Sequence, residues 1–408
     1  MDTSSILDNI QETNDRIIKS GVRSIFTPHI PIIKVDWLKG RNKELRSLFE
    51  HLTTPGQHAL LFGERGVGKS SLAETASIEL SKRYGLTLFK KQCSRLDNFA
   101  TIFEKPLKAV NVDVNTISES KSTGLSAVLS GFGVSKDKQT QKEGENKLSL
   151  NPSFVAEHIS DLKGLLLIDE FDAIQSTEDK EKIAEVIKLL SDRNSTLRIL
   201  IVGIADSARE LTMGHPSLTR CLREIKVRRI LIKDLIEILK NGASRLKLNF
   251  DPVVMPKIAI VSSGYPYFTH LLALKVCEDV IAEERTTVTM RDLLNATERA
   301  IENSEESLLT MFIESTNSTH KDKLERILLA AATCNEFRFS GYDICKKYYD
   351  IYKEDLTTSQ LGPYLSKLVS TDNSKIMRRL SKGIYRFSDP RMPSFIKIHK
   401  AYFPDEEI

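Results

Sequence analysis

The sequence predicts an α/β core built on a parallel sheet, followed by a helical segment and a separate C-terminal module. Three observations carry this expectation. From Trp37 to Ala205, four-residue apolar runs alternate with amphipathic helical stretches, the pattern of strands buried on both faces and joined by crossover helices. Residues 230–303 read as helices only. From Lys321 onward, three helical patterns precede two short strands around a glycine turn. A chain of 408 residues is too long for one ordinary core, so two or three domains are expected.

In chain order, residues 1–35 read as a polar helix followed by an extended N-terminal arm. The core is expected over 36–229. Its strands are Ala59-Leu60-Leu61-Phe62, Leu86-Thr87-Leu88-Phe89, Leu165-Leu166-Leu167-Ile168 and Ile199-Leu200-Ile201-Val202. Residues 111–150, rich in Ser, Gly and Lys, interrupt the alternation and read as a surface insertion with a hairpin around Leu125–Val134. A helical lid is expected over 230–305, with helices at Asp234–Leu246, Pro266–Glu283 and Met290–Glu302. Polar stretches at Glu302–Ser307 and Glu314–His320 read as a linker to a last domain at 321–402.

Composition excludes several classes. With 40% hydrophobic and 28% charged residues, the chain reads as globular. The net charge of +4 gives no global basic field, so any nucleic-acid reading must rest on local charge. The five cysteines (93, 221, 277, 334 and 345) form no CxxC pair and read as reduced structural thiols. Met1 to Ser20 has no apolar core for a signal peptide. The most apolar run, Ile199 to Ala205, falls far short of the roughly 18 residues a membrane span needs. The expected location is the cytoplasm, with no membrane partner.

Gly63-Glu64-Arg65-Gly66-Val67-Gly68-Lys69-Ser70 fits G-x-x-x-x-G-K-[ST] between a strand and a helix that carries Leu72, Ala76 and Leu80 on one face. Glycines let such a loop turn its N–H groups inward around phosphate oxygens, and the helix N-terminus adds partial positive charge. The expected nucleotide-binding residues are these eight and the adjoining Ser71. Lys69 reaches the β- and γ-phosphates and the Ser70 hydroxyl ligates Mg²⁺. The strand ending Ile168-Asp169-Glu170 follows by about 100 residues, the usual spacing for the second half of such a site. Asp169 is expected to hold Mg²⁺ and Glu170 to activate the attacking water. Asp172 reads as a helix N-cap or a solvated acid. The cofactors expected are ATP and Mg²⁺, in a P-loop NTPase.

With these motifs the chain resembles the AAA+ superfamily, specifically the origin-recognition-like clade and the related STAND-type ATPases. The likeness covers about residues 35–305 and, more loosely, 321–395. Leu38-Lys39-Gly40-Arg41-Asn42-Lys43-Glu44-Leu45 is similar to the opening motif of those families. The resemblance implies adenine contacts from Pro31 and Ile32. Ile201–Ser207 is similar to the sensor-1 strand, with Asp206 where Asn is frequent, so Asp206 stands as a γ-phosphate contact or a turn residue. His215–Leu222 is similar to a clamp-loader box whose arginine reaches a neighbour's ATP. Arg220 is therefore an arginine finger of a homo-oligomer or a surface arginine in a salt bridge. Gly264-Tyr265-Pro266-Tyr267 resembles the G-x-P lid motif of STAND NTPases, which implies Pro266 near adenine. Tyr267 stands where initiator-type ATPases have an arginine. That departure favours a nucleotide-controlled switch over a processive motor.

The C-terminal unit resembles the winged-helix domain of these ATPases. Its first helix carries Leu324, Ile327, Leu328, Ala331 and Ala332; its third carries Leu361, Tyr364, Leu365, Leu368 and Val369. Ser374–Leu380 and Gly383–Ser388 read as the two strands of a wing. Residues 321–404 hold 16 Lys and Arg against 9 Asp and Glu, an excess of seven. Arg378, Arg379, Lys382 and Arg386 fall on that wing, a surface suited to the phosphates of double-stranded DNA. Winged helices also bind proteins, so a protein effector stands as the second partner class.

Overall fold

The computed structural model describes residues 3–113, 150–205, 208–209, 218, 220–302, 306–334, 338–370 and 375–403. The insertion hairpin expected around Leu125–Val134 and the sensor-1 candidate Asp206 lie outside them. The chain folds as two compact units. One comprises Arg41–Gly63 and Lys69–Val227; the other comprises Met1–Gly40, Glu64–Gly68 and Arg228–Ile408.

The first unit is a five-stranded parallel sheet. Its strands are β1 (His58–Gly63), β2 (Thr87–Gln92), β3 (Gly164–Asp169), β4 (Leu197–Ile204) and β5 (Leu222–Lys226), in the order β2-β3-β4-β1-β5. Registers such as Leu167 opposite Leu200 and Leu60 opposite Ile201 stack the apolar runs side by side. Every residue of β1 is buried, as are the first five of β3, as expected where helices cover both sheet faces. The edge strand β2 differs from expectation. It begins at Thr87, runs on through Lys90, Lys91 and Gln92, and buries only Phe89, because an edge strand has a neighbour on one side only. Strand β5 was not foreseen; its short Leu222-x-x-Ile225 pattern follows neither strand nor helix periodicity.

Helix α1 spans Thr3–Ser20, α2 Val22–Ile25 and α3 Asn42–Leu52, and α4 runs from Lys69 to Tyr84. In α4, Leu72, Ala73, Ala76 and Leu80 are fully buried. Lys82 and Arg83 complement its C-terminal dipole, and Gly85 at φ +61° ends it. Helices α5 (Phe99–Ala109), α6 (Pro152–Ile159) and α7 (Thr177–Asp192) supply Ile102, Phe103, Val155, Ile159, Ile187 and Leu190 to a core shared with Leu60, Leu166 and Ile199.

The second unit is mostly helical. It contains α1, α2, α8 (Ile232–Leu246), α9 (Val254–Ser262), α10 (Pro266–Ala282) and α11 (Met290–Glu302). The expectation of helices only over 230–303 is corrected by a two-residue parallel ladder. There β6 (Asn249–Phe250) pairs with β7 (Thr287–Val288). The expected polar linker is corrected too: α12 spans Glu306–Thr316 and buries Leu308 and Phe312. Phe312 packs on Phe395 and His399, which explains a helix where polarity suggested a tether.

From Lys321 the order is α13 (Lys321–Ala332), β8 (Phe339–Ser340), α14 (Gly341–Tyr352), α15 (Thr358–Leu368), β9 (Val369–Ser370), β10 (Met377–Ser381), β11 (Ile384–Phe387) and α16 (Met392–His399). The strands form a sheet in the order β8-β11-β10-β9. The five apolar residues expected on α13 are all buried. On α15, Leu361, Leu365 and Leu368 are buried, whereas Tyr364 is half-buried and Val369 leaves the helix to start β9. Strands β10 and β11 make the expected antiparallel hairpin, with Gly383 at φ +77° in the turn. Among the described residues, no helix is long and apolar enough to cross a membrane.

Among the described residues, each unit buries one histidine whose Nδ1 accepts a backbone N–H. His58 Nδ1 accepts the Ile199 N–H at 3.0 Å, and His270 Nδ1 accepts the Thr27 N–H at 3.1 Å. A proton on either Nδ1 would abolish its acceptor role inside a dry core. Burial, with Arg198 adding at His58, lowers the two to about 3 and about 4. Both folded values lie below the unfolded one, so the unfolded chain binds protons first as pH falls. The stability these groups confer is intact above about pH 6.5 and is lost towards their folded values. Urea unfolding midpoints should therefore fall steadily from pH 7 to pH 4. A flat profile over that range would contradict the burial of two neutral imidazoles.

Candidate phosphate-binding site

The loop after β1 is built on backbone conformations that favour glycine. Gly63 has φ +150°, and a Cβ there would meet the Val227 carbonyl oxygen at 2.4 Å. Gly66 and Gly68 have φ +81° and +90°. Such turns point successive N–H groups to one side, and α4 begins directly afterwards at Lys69, so a helix N-terminus faces the same place. The buried Lys69 ammonium folds back over the loop and donates to the Gly63 carbonyl at 3.0 Å. Val67 is fully buried; Arg65 is exposed, and Glu64 and Ser71 are half-buried.

Asp169 ends β3, and its half-buried carboxylate accepts hydrogen bonds from the Ser70 hydroxyl and from the Glu170 N–H, the latter at 2.8 Å. Burial raises its pKa, opposed by these two bonds and by the Lys69 ammonium. The structure therefore brings Lys69, Ser70 and Asp169 together. Glu170 is exposed and sits at φ +55°, a backbone conformation that costs a non-glycine residue about 1 kcal/mol or more and is concentrated at functional sites. It leaves the strand's alternation at this point. Asp172 caps no helix, a correction to the first of its two readings; it is partly exposed. Its Oδ1 accepts the Ile204 N–H at 2.7 Å and ties the turn after β3 to the end of β4.

The hydroxyl of Ser70 and the carboxylate of Asp169 are hard oxygen donors side by side, the type Mg²⁺ takes. That ion keeps several waters and leans on substrate phosphates rather than on a full protein cage. No group of three or more His, Cys, Asp or Glu able to hold a metal occurs among the described residues. Cys93, not foreseen here, donates its N–H to the Asp169 carbonyl at 2.8 Å. Burial, with Asp97 and the site's acids adding to it, pushes its thiol up to about 12, so it remains protonated.

The tip of the loop, Glu64 to Gly68, packs within the helical unit. Glu64 Oε2 accepts from Arg229 Nε at 2.9 Å and from the Tyr265 hydroxyl at 2.5 Å. The Arg229 guanidinium lies 4.7 Å above the Tyr265 ring. Tyr265 is fully buried, which pushes its hydroxyl well above the usual range and keeps it a donor. A Cβ on Gly66 would meet Arg391 Cδ at 2.9 Å, and one on Gly68 would meet Pro266 Cγ at 3.7 Å. Arg391 is 2% exposed and grips Asp389 with two nitrogens, at 3.0 and 2.7 Å. Arg229, Tyr265, Asp389 and Arg391 escaped sequence reasoning. The only hint was the Gly264-Tyr265-Pro266 motif, in which Tyr265 counted as the unspecified middle residue.

The remaining candidates are placed as follows. Pro31 is exposed and Ile32 half-buried; nearby, the His29 ring meets Tyr267 edge-on at 5.9 Å, beside Pro266. Arg220 is 69% exposed and pairs with Asp192 at 3.0 Å. It precedes Cys221, whose carbonyl accepts the His58 N–H at the start of β1. Arg220 thus lies at the end of the sheet opposite its own loop, roughly 17 Å away by strand rise. On the hairpin, Arg378 stands opposite Arg386, while Arg379 stands opposite Tyr385. Strand alternation therefore puts Arg378 and Arg386 on one face and Arg379 on the other, with Lys382 exposed at the turn.

The chain is similar to several solved structures. The Aeropyrum pernix ORC2 protein, solved as ADPNP-ADP complexes, is 15% identical over 93% of this chain and 97% of its own, with a TM-score of 0.54. The Walker-type ATPase PABY2304 of Pyrococcus abyssi is 18% identical over 91% and 99%, with a TM-score of 0.48. The Thermotoga maritima RuvB Holliday junction branch migration motor is 14% identical over 86% and 93%, with a TM-score of 0.43. The first of these shares the fold. No curated protein matches the chain. The family model of Novel STAND NTPase 1 matches residues 33–331, well over half the chain, including the loop, Asp169 and Tyr265 but not Asp389 or Arg391. The chain belongs to the novel STAND NTPase 1 family of P-loop NTPases.

Proposed function

We propose that the chain is a Mg²⁺-dependent ATPase that uses bound nucleotide as a conformational switch. The observation that carries the reading is the convergence of the Lys69 ammonium, the Ser70 hydroxyl and the Asp169 carboxylate at the end of a buried parallel sheet. Lys69 leaves the Gly63 carbonyl to contact the β- and γ-phosphates. Ser70 and Asp169 hold the metal, which when bound neutralises charge developing on the phosphates. Glu170, exposed beside them, accepts the proton of the attacking water. The switch reading is supported by the contacts on the loop tip: Pro266 of the lid and Arg391 of the C-terminal module lie against Gly68 and Gly66. Pro31, Ile32 and Pro266 are proposed to face adenine.

Arg220 is proposed to complete the site of a neighbouring copy in a homo-oligomer. Its place at the opposite end of the sheet from its own loop supports a role in trans, for which the Asp192 pair must open. The C-terminal module is proposed to be a winged helix, by its order of helix, short strand, two helices and hairpin. Arg378, Arg379, Lys382 and Arg386 then make it a reader of duplex phosphates. A protein effector is the second reading, favoured by the third helix. Its exposed face is weakly basic, with Ser359, Gln360 and Ser366 beside the one cation Lys367, which is bonded to Ser318.

Three outcomes follow. Glu170→Gln should bind ATP like the wild type but release phosphate at least about 10²-fold more slowly; comparable release by both would remove Glu170 from the chemistry. Arg220→Ala should lower turnover without weakening ATP affinity, and mixing it with Glu170→Gln protein should recover part of the activity through interfaces that join intact halves. Mixtures no more active than the sum of their parts would exclude a finger in trans. Arg378→Ala with Arg379→Ala should weaken duplex binding and flatten the log–log salt slope by about 1.8. An unchanged slope, or no duplex retardation by wild type at micromolar protein, would favour the effector reading.

A further inference from the structure

An acidic side chain within a phosphate-binding loop is an electrostatic contradiction. The loop gathers N–H groups and a helix N-terminus to attract anions, yet its second residue is Glu64. A unit negative charge a few ångströms from bound phosphates repels them, and partial burial weakens the screening that would hide it. Glu64 has about a quarter of its side chain exposed, at 23%.

The structure supplies a counterweight. Arg229, just after β5, donates from Nε to Glu64 Oε2, and the Tyr265 hydroxyl donates to the same oxygen. The guanidinium stacks on the Tyr265 ring, which is itself immobilised by complete burial. The second acid nearby, Asp389, is held by Arg391 in a two-nitrogen grip. Two acids and two arginines thus surround one buried tyrosine, and the formal charges of these four groups cancel. The Glu64 carboxylate is drawn towards Arg229 and Tyr265 by both bonds.

We propose that Arg229 and Tyr265 are positioning residues that restrain and neutralise the Glu64 carboxylate, so that a loop carrying an acid still accepts nucleotide phosphates. Arg229 acts through Glu64 and not by touching phosphate. The assignment deepens the nucleotide-site reading of this loop and rests on it.

The test is a titration of the full chain with ADP and Mg²⁺, for wild type, Arg229→Ala, Glu64→Gln and the double variant. Arg229→Ala should bind roughly tenfold more weakly, and the deficit should shrink as salt rises. Glu64→Gln should bind more tightly than wild type. The double variant should return to within about twofold of wild type, because the carboxylate that needed neutralising is gone. A double variant as weak as Arg229→Ala overturns the proposal, since Arg229 would then act on the phosphates directly; so does an Arg229→Ala protein that binds like wild type. If Arg229→Ala does not fold, Arg229→Gln takes its place in both arms, and weaker binding by Glu64→Gln alone also overturns it. A folded wild type without affinity for ADP sinks the nucleotide reading together with this one, an outcome distinct from normal wild-type binding with no rescue.

Discussion

A carboxylate at the end of a buried strand is costly unless donors meet it, and the core is arranged so that they do at Asp169. Burial pushes its pKa up, while the Ser70 hydroxyl, the Glu170 N–H and the Lys69 ammonium push back. Leaving such a group unsatisfied would cost about 1–3 kcal/mol or more. The donors come from the first turn of α4 and from the residue after β3. The sheet order β2-β3-β4-β1-β5 therefore has to bring the ends of β1 and β3 to one edge, with β4 between them. The apolar registers of the sheet serve that geometry: a slip between β3 and β4 would move Asp169 away from Ser70 and strand a charge.

The loop answers to a second set of constraints. Gly63, Gly66 and Gly68 adopt positive φ, and Gly66 is closed in by Arg391 Cδ and the Tyr265 ring. Here the neighbours are side chains of the lid and of the C-terminal module, far away in sequence. The loop is therefore enclosed by residues 229, 265 and 391 as well as shaped by its own glycines. The same packing gives it a carboxylate at Glu64 that is answered by Arg229 rather than left to solvent.

The C-terminal module shows how local pattern and surroundings divide the work. Its helices obey their own apolar periodicity, and its hairpin turns where Gly383 permits. The polar stretch before it contains α12 only because Leu308 and Phe312 find a surface, with Phe395 and His399 closing over Phe312. The apolar cluster Leu308, Leu309, Met311, Phe312 and Ile313 lies between the two polar stretches, and the helix it forms runs on into both.

Much of the fold was legible in the sequence because its signals are local. Continuous apolar runs marked β1, β3 and β4, and a single eight-residue motif marked the loop. The pair Asp169-Glu170 marked the strand end, and 3.6-residue periodicity marked α13 and α15. What only the tertiary structure decided were the non-local placements. Among these are β2 as an edge strand, β5 as a strand at all, Asp172 as a tether to Ile204, and Arg220 at the far end of the sheet. The split of Arg378 and Arg379 between faces of the hairpin, and the ring of Arg229, Tyr265, Asp389 and Arg391 about the loop tip, belong with them. The physical reason is common to all of these. A backbone conformation or an amphipathic face is written in neighbouring residues, whereas an ion pair or an edge is a property of which distant segments are brought together by burying the core.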